Sequence, residues 1–355
     1  MKLAIHDHPG SYSDRWIKYC QEKNISYKTV NCYDNDFMAQ INGYDGLLWH
    51  WDLTDYKSAL AARQLTFSLE KKGIKMFPDI RTSWFYNDKV GQKYLLEAIN
   101  APLVKSYVFY SKKDALEWLA NTSFPKVFKL RSGAGSSNVR LIETKKKAKN
   151  LINKAFGRGF NQIDPYYRLY DRLKVFLSDR DITAFKKVLT GIARLFILKD
   201  VEKYSTREKG YVYFQDLVPG ADGDTRLTVV NDRCFGLRRY CRKGDFRASG
   251  TGIRSYNPEL LNKEMVKLAF DVADKLGVQS IALDILGDKD NYKITEMSYC
   301  FTIDCCDDCA GYWDKDLIWH EEEVNPQQYI IEDFIKSLKS PQSIHEFLES
   351  EVYEN

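Results

Sequence analysis

Long apolar runs are missing from this 355-residue chain. No stretch approaches the roughly 18 uninterrupted apolar residues of a membrane-spanning helix. Met1-Lys-Leu-Ala-Ile-His also lacks the apolar core of a secretion signal, so the expected compartment is cytoplasmic, with no integral membrane segment. Histidine is scarce: His6, His8, His50, His320 and His345 are too dispersed for a ligand set, although His6 and His8 close the first predicted strand, where they could line a cleft. The eight cysteines lack the two separated ligand pairs of usual structural zinc sites. Cys20, Cys32, Cys234 and Cys241 are scattered, and Cys300, Cys305, Cys306 and Cys309 follow a C-x4-C-C-x2-C spacing whose vicinal pair cannot easily reach one tetrahedral ion. Reduced thiols lining or packing beside a site are expected there, with zinc as the alternative. No G-x-G-x-x-G follows the first strand, which disfavours dinucleotide binding in the N-terminal region. No motif organises the basic residues for RNA or DNA, and nucleic acid is not expected as a partner.

What is present describes a folded globular protein. Aromatics are abundant, with 23 Tyr, 19 Phe and 7 Trp, and 44% of residues are hydrophobic. The length suits two or three lobes. Net charge is only +4, but residues 145–209 hold 17 Lys/Arg against 7 Asp/Glu. Such an island is either a solvated face or an attractor for a polyanion, a phosphate-bearing substrate or an anionic membrane surface.

Residues 1 to about 80 alternate short apolar strands with helical patterns, which predicts a parallel βα unit. A helix capped by Asn87 or Asp88 follows, and Ala101-Pro-Leu-Val starts the next strand. Residues 145 to about 204 read as mostly helical, longer than a hairpin needs, and so as an insertion. From Gly210 the pattern returns to strands, with a helix over residues 258–276 between them.

Two segments carry chemistry. In Phe124-Pro-Lys-Val-Phe-Lys-Leu-Arg-Ser-Gly-Ala-Gly-Ser-Ser-Asn-Val-Arg-Leu-Ile142 two strands flank a Gly/Ser loop. Lys129 lies among Val127, Phe128 and Leu130, where an ammonium is costly to desolvate unless an anion meets it. Gly133 and Gly135 permit turns that aim backbone N–H groups at a phosphate, with Ser136 and Ser137 as hydroxyl donors. An ordinary hairpin with a surface lysine is the competing reading. In the second segment, Asp284 and Glu296 fall on adjacent predicted strands and can face one side of a sheet. Paired carboxylates there invite a hard cation such as Mg2+; alternatively both acids pair with arginines such as Arg238 or Arg239.

The order of these parts resembles the ATP-grasp superfamily, and among its members the RimK-like carboxylate–amine ligases. The parts are the Asn-Asp-Lys helix, lysine strand, Gly/Ser loop, Gln-Asp strand, Asp-Thr-Arg226 strand, Gly244-Asp-Phe-Arg-Ala-Ser249 loop and Asp284…Glu296 hairpin. The resemblance implies an α/β (α+β) three-lobed fold: an N-terminal parallel βα domain (1–85), a central lid lobe (86–205, with the basic insertion at 145–205) and a C-terminal antiparallel-sheet lobe (206–355). It implies ATP and Mg2+ as cofactors, with Lys89, Lys129 and the Gly133–Ser137 loop on the phosphates. Gln215, Asp216 and Leu217 would meet adenine, and Asp224 would lie near the nucleotide. Arg226, Arg239 and Arg247 would act on substrate, phosphate or acyl phosphate. The metal ligands would be Asp284, Glu296 and Ser298; the last stands where the family has Asn, which weakens the case for a second ion. The segment after Tyr299 departs from the family's short ending and is expected to shape a substrate pocket.

The implied reaction activates a carboxylate as an acyl phosphate that an amine then attacks. The basic island favours an anionic acceptor, such as an acidic or phosphate-linked glycan, a poly-acidic peptide or a lipid-linked precursor. Resemblance to ATP-grasp members of bacterial surface-polysaccharide synthesis points to amide decoration of a uronic-acid-bearing sugar. The alternatives are a kinase acting on a hydroxyl and a nucleotide- or polyanion-binding module without turnover.

Overall fold

A computed structural model describes residues 1–52, 55–133, 138–180, 182–197, 200–204, 206–287 and 291–339. The N-terminal unit is a parallel sheet of β1 (Leu3–His6), β2 (Tyr27–Val30), β3 (Gly46–Leu48) and β4 (Lys75–Phe77), ordered β2-β1-β3-β4. Its crossover helices Tyr12–Glu22 and Tyr56–Lys71 begin where Ser11 and Asp55 side chains accept from backbone N–H groups. β3 ends at Leu48, and Trp49, His50 and Trp51 continue past the carboxyl end of the sheet.

The central unit is antiparallel and opens with β5 (Ser106–Phe109), β6 (Lys126–Lys129) and β7 (Val139–Ile142). After β7 come the helices Lys145–Ala155, Pro165–Asp179, Ile182–Ala193 and Asp200–Tyr204, and a ribbon of β8 (Phe160–Asn161) and β9 (Arg207–Glu208). β10 (Val212–Asp216) then returns between β5 and β6, giving the order β5-β10-β6-β7. A division at 205/206 therefore assigns to the last lobe a strand that completes the central sheet. One face of this sheet packs Phe128 and Phe214 against Ala115, Ala148 and Ile152 in a core of its own.

The C-terminal sheet comprises β11 (Gly223–Val230), β12 (Arg233–Tyr240), β13 (Arg254–Ser255), β14 (Ser280–Leu286), β15 (Lys293–Ser298), β16 (Gly311–Trp313) and β17 (Trp319–Glu321). Its order is β15-β14-β11-β12-β16-β17, with β13 beside β12. Helix Lys263–Leu276 presents Met265, Val266, Ala269 and Phe270 to the Leu227, Val229, Leu283 and Ile285 face. Ala101-Pro-Leu-Val does not open β5 as expected. Pro102 has no N–H for a ladder, and its carbonyl instead accepts from Ile294 N at 2.7 Å, hooking the segment to the edge of β15.

The first and last units share two apolar cores. One joins Leu47, Trp49 and Met76 to Val229, Leu283 and Ile294. The other joins Leu3, Ile5 and Trp16 to Phe235, Cys306 and Phe334. Polar stitches reinforce them: Trp16 Nε1 donates to Gln327 O at 3.0 Å and Tyr12 Oη to Phe301 O at 2.8 Å. Helix Pro326–Lys339 docks closely on the N-terminal sheet, since a Cβ on Gly46 would lie 2.8 Å from the Phe334 ring. Gly46→Val is therefore expected to cost about 1–3 kcal/mol of stability by overpacking, read as a lower urea midpoint at unchanged slope.

Candidate active site

Alternation along the C-terminal strands sorts their side chains into an apolar face against helix Lys263–Leu276 and a charged face opposite. The charged face follows from register: Asp224 is the cross-strand partner of Arg239, Arg226 of Asp284, and Asp284 of Glu296. A bulge between Asp284 and Ile285 sets Ile285 opposite Ile294, so Thr295 is the extra residue. Arg226 grips Asp284 with both nitrogens, at 2.7 and 2.9 Å. Arg239 reaches the same carboxylate at 2.8 Å and holds Asp224 at 2.6 and 2.7 Å. Burial alone would raise the Asp284 carboxyl, but the two guanidiniums hold it well below the usual carboxylate range. Asp224 is shifted up by burial and by the neighbouring Asp284 charge, with Arg239 opposing.

Two lysines come to this face, Lys129 from the central sheet and Lys89 from a helix packed in the shared core. Lys89 opens helix Lys89–Ala98, capped by Asp88, and its backbone N–H donates to Arg131 O at 2.9 Å. Its ammonium donates to Gly133 O at 2.6 Å and lies 3.0 Å from Glu296 Oε1. Gln92, one turn along the helix, accepts from Met297 N at 3.2 Å, fixing the helix on β15. Lys129 ends β6 on the sheet face opposite its core, with Thr295 O at 3.4 Å. Burial lowers its pKa to about 8, against the pull of Glu296. The groups that the sequence assigns to phosphate and to metal thus meet at one place.

That place is a cavity of about 910 Å3 lined by all three units. Asn87 and Gly133 come from the central unit, and Arg226, Arg239, Asp284, Glu296 and Ser298 from the C-terminal sheet. Gly10, His50 and Asp52 follow β1 and β3. Residues 190–307 match the family model described as a RimK-like ATP-grasp domain. The alpha-aminoadipate–LysW ligase LysX of Saccharolobus solfataricus is 22% identical over 283 residues, covering 78% of this chain and 84% of the relative. Among solved structures, D-alanine–D-alanine ligase from Bacillus anthracis, complexed with ATP, aligns with a TM-score of 0.55 at 12% identity over 96% of this chain and 98% of that one. D-cycloserine synthetase DcsG aligns at 0.56 and 13% identity, over 96% of this chain and all (100%) of that one. Residues 190–307 thus match a RimK-like ATP-grasp domain, and the fold around them is that of the aligned ligases.

The other expected site residues are placed as follows. Gln215 shares the Lys129 face of the central sheet, where its amide donates to Ser106 Oγ at 3.0 Å. Asp216 falls on the opposite face by the pleat and pairs with Lys126 at 2.6 Å; Leu217 follows it, half-buried. Gly135 and Ser136 lie outside the described residues. The Ser298 hydroxyl turns to its own chain, donating to Cys300 O at 2.7 Å and accepting from Cys300 N at 3.2 Å. Arg247 is not brought to the Asp284 face: it pairs with Asp245 at 2.7 Å and Asp171 at 2.9 Å and lines a second cavity. Cys305, Cys306 and Cys309 are buried in the second apolar core, and Cys300 and Cys305 line the main cavity. His6 is buried, accepting from Cys32 N, and His50 rather than His6 or His8 lines the cavity. The His50 ring stacks on Tyr12 at 3.7 Å, and burial lowers its pKa to about 4. The signal that could have found it is its position after β3, at the carboxyl ends of parallel strands where the strand order reverses.

The donors suit a hard cation that brings its remaining ligands with it. Glu296 is a third exposed and Asp284 is its cross-strand partner. Among the described residues no group of three or more His, Cys, Asp or Glu is arranged to hold a metal alone. Asp284 is already saturated by guanidinium, so its use as a ligand requires Arg226 or Arg239 to turn to another anion.

Lys129 gives a pH test. Its folded pKa lies below the ordinary 10.5, so at pH below about 8 the nucleotide-free fold bears the cost of the buried charge. From there towards 10.5 the unfolded chain binds more protons and stability rises with pH. Lys129→Met should therefore stabilise the nucleotide-free protein at pH 7 by up to about 3 kcal/mol. That gain should shrink towards pH 10, as read by urea unfolding across pH.

Proposed function

We propose that the protein is an ATP-dependent carboxylate–amine ligase. The supporting observation is the meeting of buried Lys89 and Lys129 with Glu296 and Asp284 beside one cavity, which Arg226 and Arg239 also line. The lobes in this reading are 1–85, 86–205 and 206–355, with β10 of the last returning to the central sheet. Lys89, Lys129 and the Gly133 loop take the phosphates, and Gln215, the Asp216–Leu217 backbone and Asp224 take the nucleoside end. Mg2+, held by Glu296 and Asp284, would neutralise phosphate charge when bound.

A carboxylate oxygen attacks the γ-phosphorus and ADP leaves. The amine then attacks the acyl carbon, forming the C–N bond and expelling inorganic phosphate and a proton. Lys89 and Lys129 offset negative charge on the transferred group, and phosphate beside Lys129 favours its charged form. Arg226 and Arg239 offer bidentate grips to a carboxylate or acyl phosphate once released from Asp284. Ser298, engaged with Cys300, contributes at most a weak ligand.

An anionic acceptor is favoured by the second cavity, of about 710 Å3, which Arg140, Lys147, Lys154, Arg158, Lys174 and Arg247 line together with Tyr167 and Tyr170. Glu143, Asp171 and Asp245 offset part of that charge. Burial and then Arg140 lower the Lys154 pKa, so an anion bound there would favour its charged form.

The test is ADP release with candidate carboxylates and amines, with hydroxylamine supplied to trap an acyl phosphate as a hydroxamate. Turnover that requires both a carboxylate and an amine is expected. Lys89→Ala, Lys129→Ala and Glu296→Ala should each lower it roughly 10²-fold or more. A stable phosphate ester formed without phosphate release would identify a kinase instead.

A further inference from the structure

The helical hairpin of Pro165–Asp179 and Ile182–Ala193 is apolar on the side facing solvent. Of 21 large hydrophobic side chains exposed among the described residues, 11 fall between Tyr166 and Tyr204. They form two stripes at helical spacing: Tyr166, Tyr170, Leu173 and Leu177 on the first helix, and Ile182, Phe185, Leu189 and Ile192 on the second, continued by Phe196. The buried positions of the second helix are instead small or medium: Ala184, Val188 and Gly191. A Cβ on Gly191 would lie 3.0 Å from Leu169, so the helices approach too closely there for larger groups. The stripes adjoin at the turn, where the Phe176 and Phe185 rings are 5.6 Å apart.

Each stripe carries its own lysine. Lys174 is four residues after Tyr170 and three before Leu177; Lys186 is four after Ile182 and three before Leu189, with Lys187 beside it, all three exposed. Residues 182–197 contain no acid, and residues 165–197 hold seven Lys/Arg against three Asp/Glu. Asp171 on the first helix is occupied by Arg247.

We propose that this hairpin docks the protein on an anionic lipid surface. Apolar stripes with aromatics and lysines at their margins match the acyl boundary and the phosphate layer above it, since a lysine stem can lie along the apolar stripe while its ammonium meets lipid phosphate. A second copy of this chain is a poorer occupant, because pairing two such faces brings Lys186 and Lys187 against like charge. No helix of the described residues is long and apolar enough to cross a membrane, so the association is peripheral. It is independent of the ligase reading.

The test is co-sedimentation of the full chain with vesicles of phosphatidylcholine alone or in equal parts with phosphatidylglycerol. Binding to the anionic vesicles is expected to exceed that to the neutral ones by about tenfold or more and to weaken with salt. Leu177→Ser/Leu189→Ser/Phe196→Ser should abolish most of it, and Lys186→Glu/Lys187→Glu should lower it about tenfold or more. Both variants should keep wild-type nucleotide binding by calorimetry, which also shows that they are folded. Failure of the wild type to sediment with anionic vesicles, or undiminished binding by the triple serine variant, would overturn the proposal. So would a concentration-dependent dimer, seen by light scattering, that the triple variant dissolves.

Discussion

Asp284, held between Arg226 and Arg239, sets the terms for everything around it. Three acids (Asp224, Asp284, Glu296) and four bases (Arg226, Arg239, Lys89, Lys129) meet in a largely water-excluded layer. All but Lys129, which meets the Thr295 carbonyl at 3.4 Å, are answered by an opposite charge at close range. Breaking one partner out of such a set costs about 3–5 kcal/mol, so the empty site is held by its own salt bridges. A triphosphate with a cation offers the same groups new partners of matching sign. Exchange of partners, rather than burial of new charge, is how such a site accepts a highly charged ligand.

Lys129 is the group on which that balance turns. Burial has brought its pKa down to about 8, so above that pH the empty site sheds one positive charge and approaches zero net charge. The bulge at Thr295 contributes by turning a carbonyl towards this ammonium, while Thr295 Oγ1 donates to Asp284 O at 3.0 Å. One irregularity in β15 thus supports both the lysine above the sheet and the aspartate strand within it.

Much of this is legible in the amino-acid sequence because strand alternation is strict. Asp224-x-Arg226 and Glu296-x-Ser298 have to place their members on common faces, and the apolar residues between them have to face a helix. The meeting of Lys89 and Lys129 with the acids follows from the order of parts. Cross-strand partners are not legible: register decides that Asp284 answers Arg226 and that Arg238 answers Asp222 instead. Arg247 illustrates the same limit. Its loop is recognisable, but its partner Asp171 is 76 residues away in the helical insertion, and nothing local in either segment announces the pairing. His50 escapes a local reading because its place is set by parallel-strand order, and Asp216 departs from the expected cluster because the pleat turns it away from the Lys129 face.

The division of the cores explains how such a site can be both tight and accessible. The N-terminal unit and the C-terminal sheet share apolar cores and behave as one base, whereas the central sheet closes its own core around Phe128 and Phe214. The sheet's own attachments to the base are the Lys129 contact and, through the helical insertion, the Arg247–Asp171 pair, whereas helix Lys89–Ala98 packs Leu96 into the shared core and the Pro102 hook joins β15. Of these, the lysine contact and the arginine pair are electrostatic and can be exchanged for ligand contacts without opening an apolar core. Hinge motion between units with separate cores costs little burial. The site is therefore built between the shared core and the separately cored central sheet, and the charges that would bind substrate are the same ones that hold the empty cleft together.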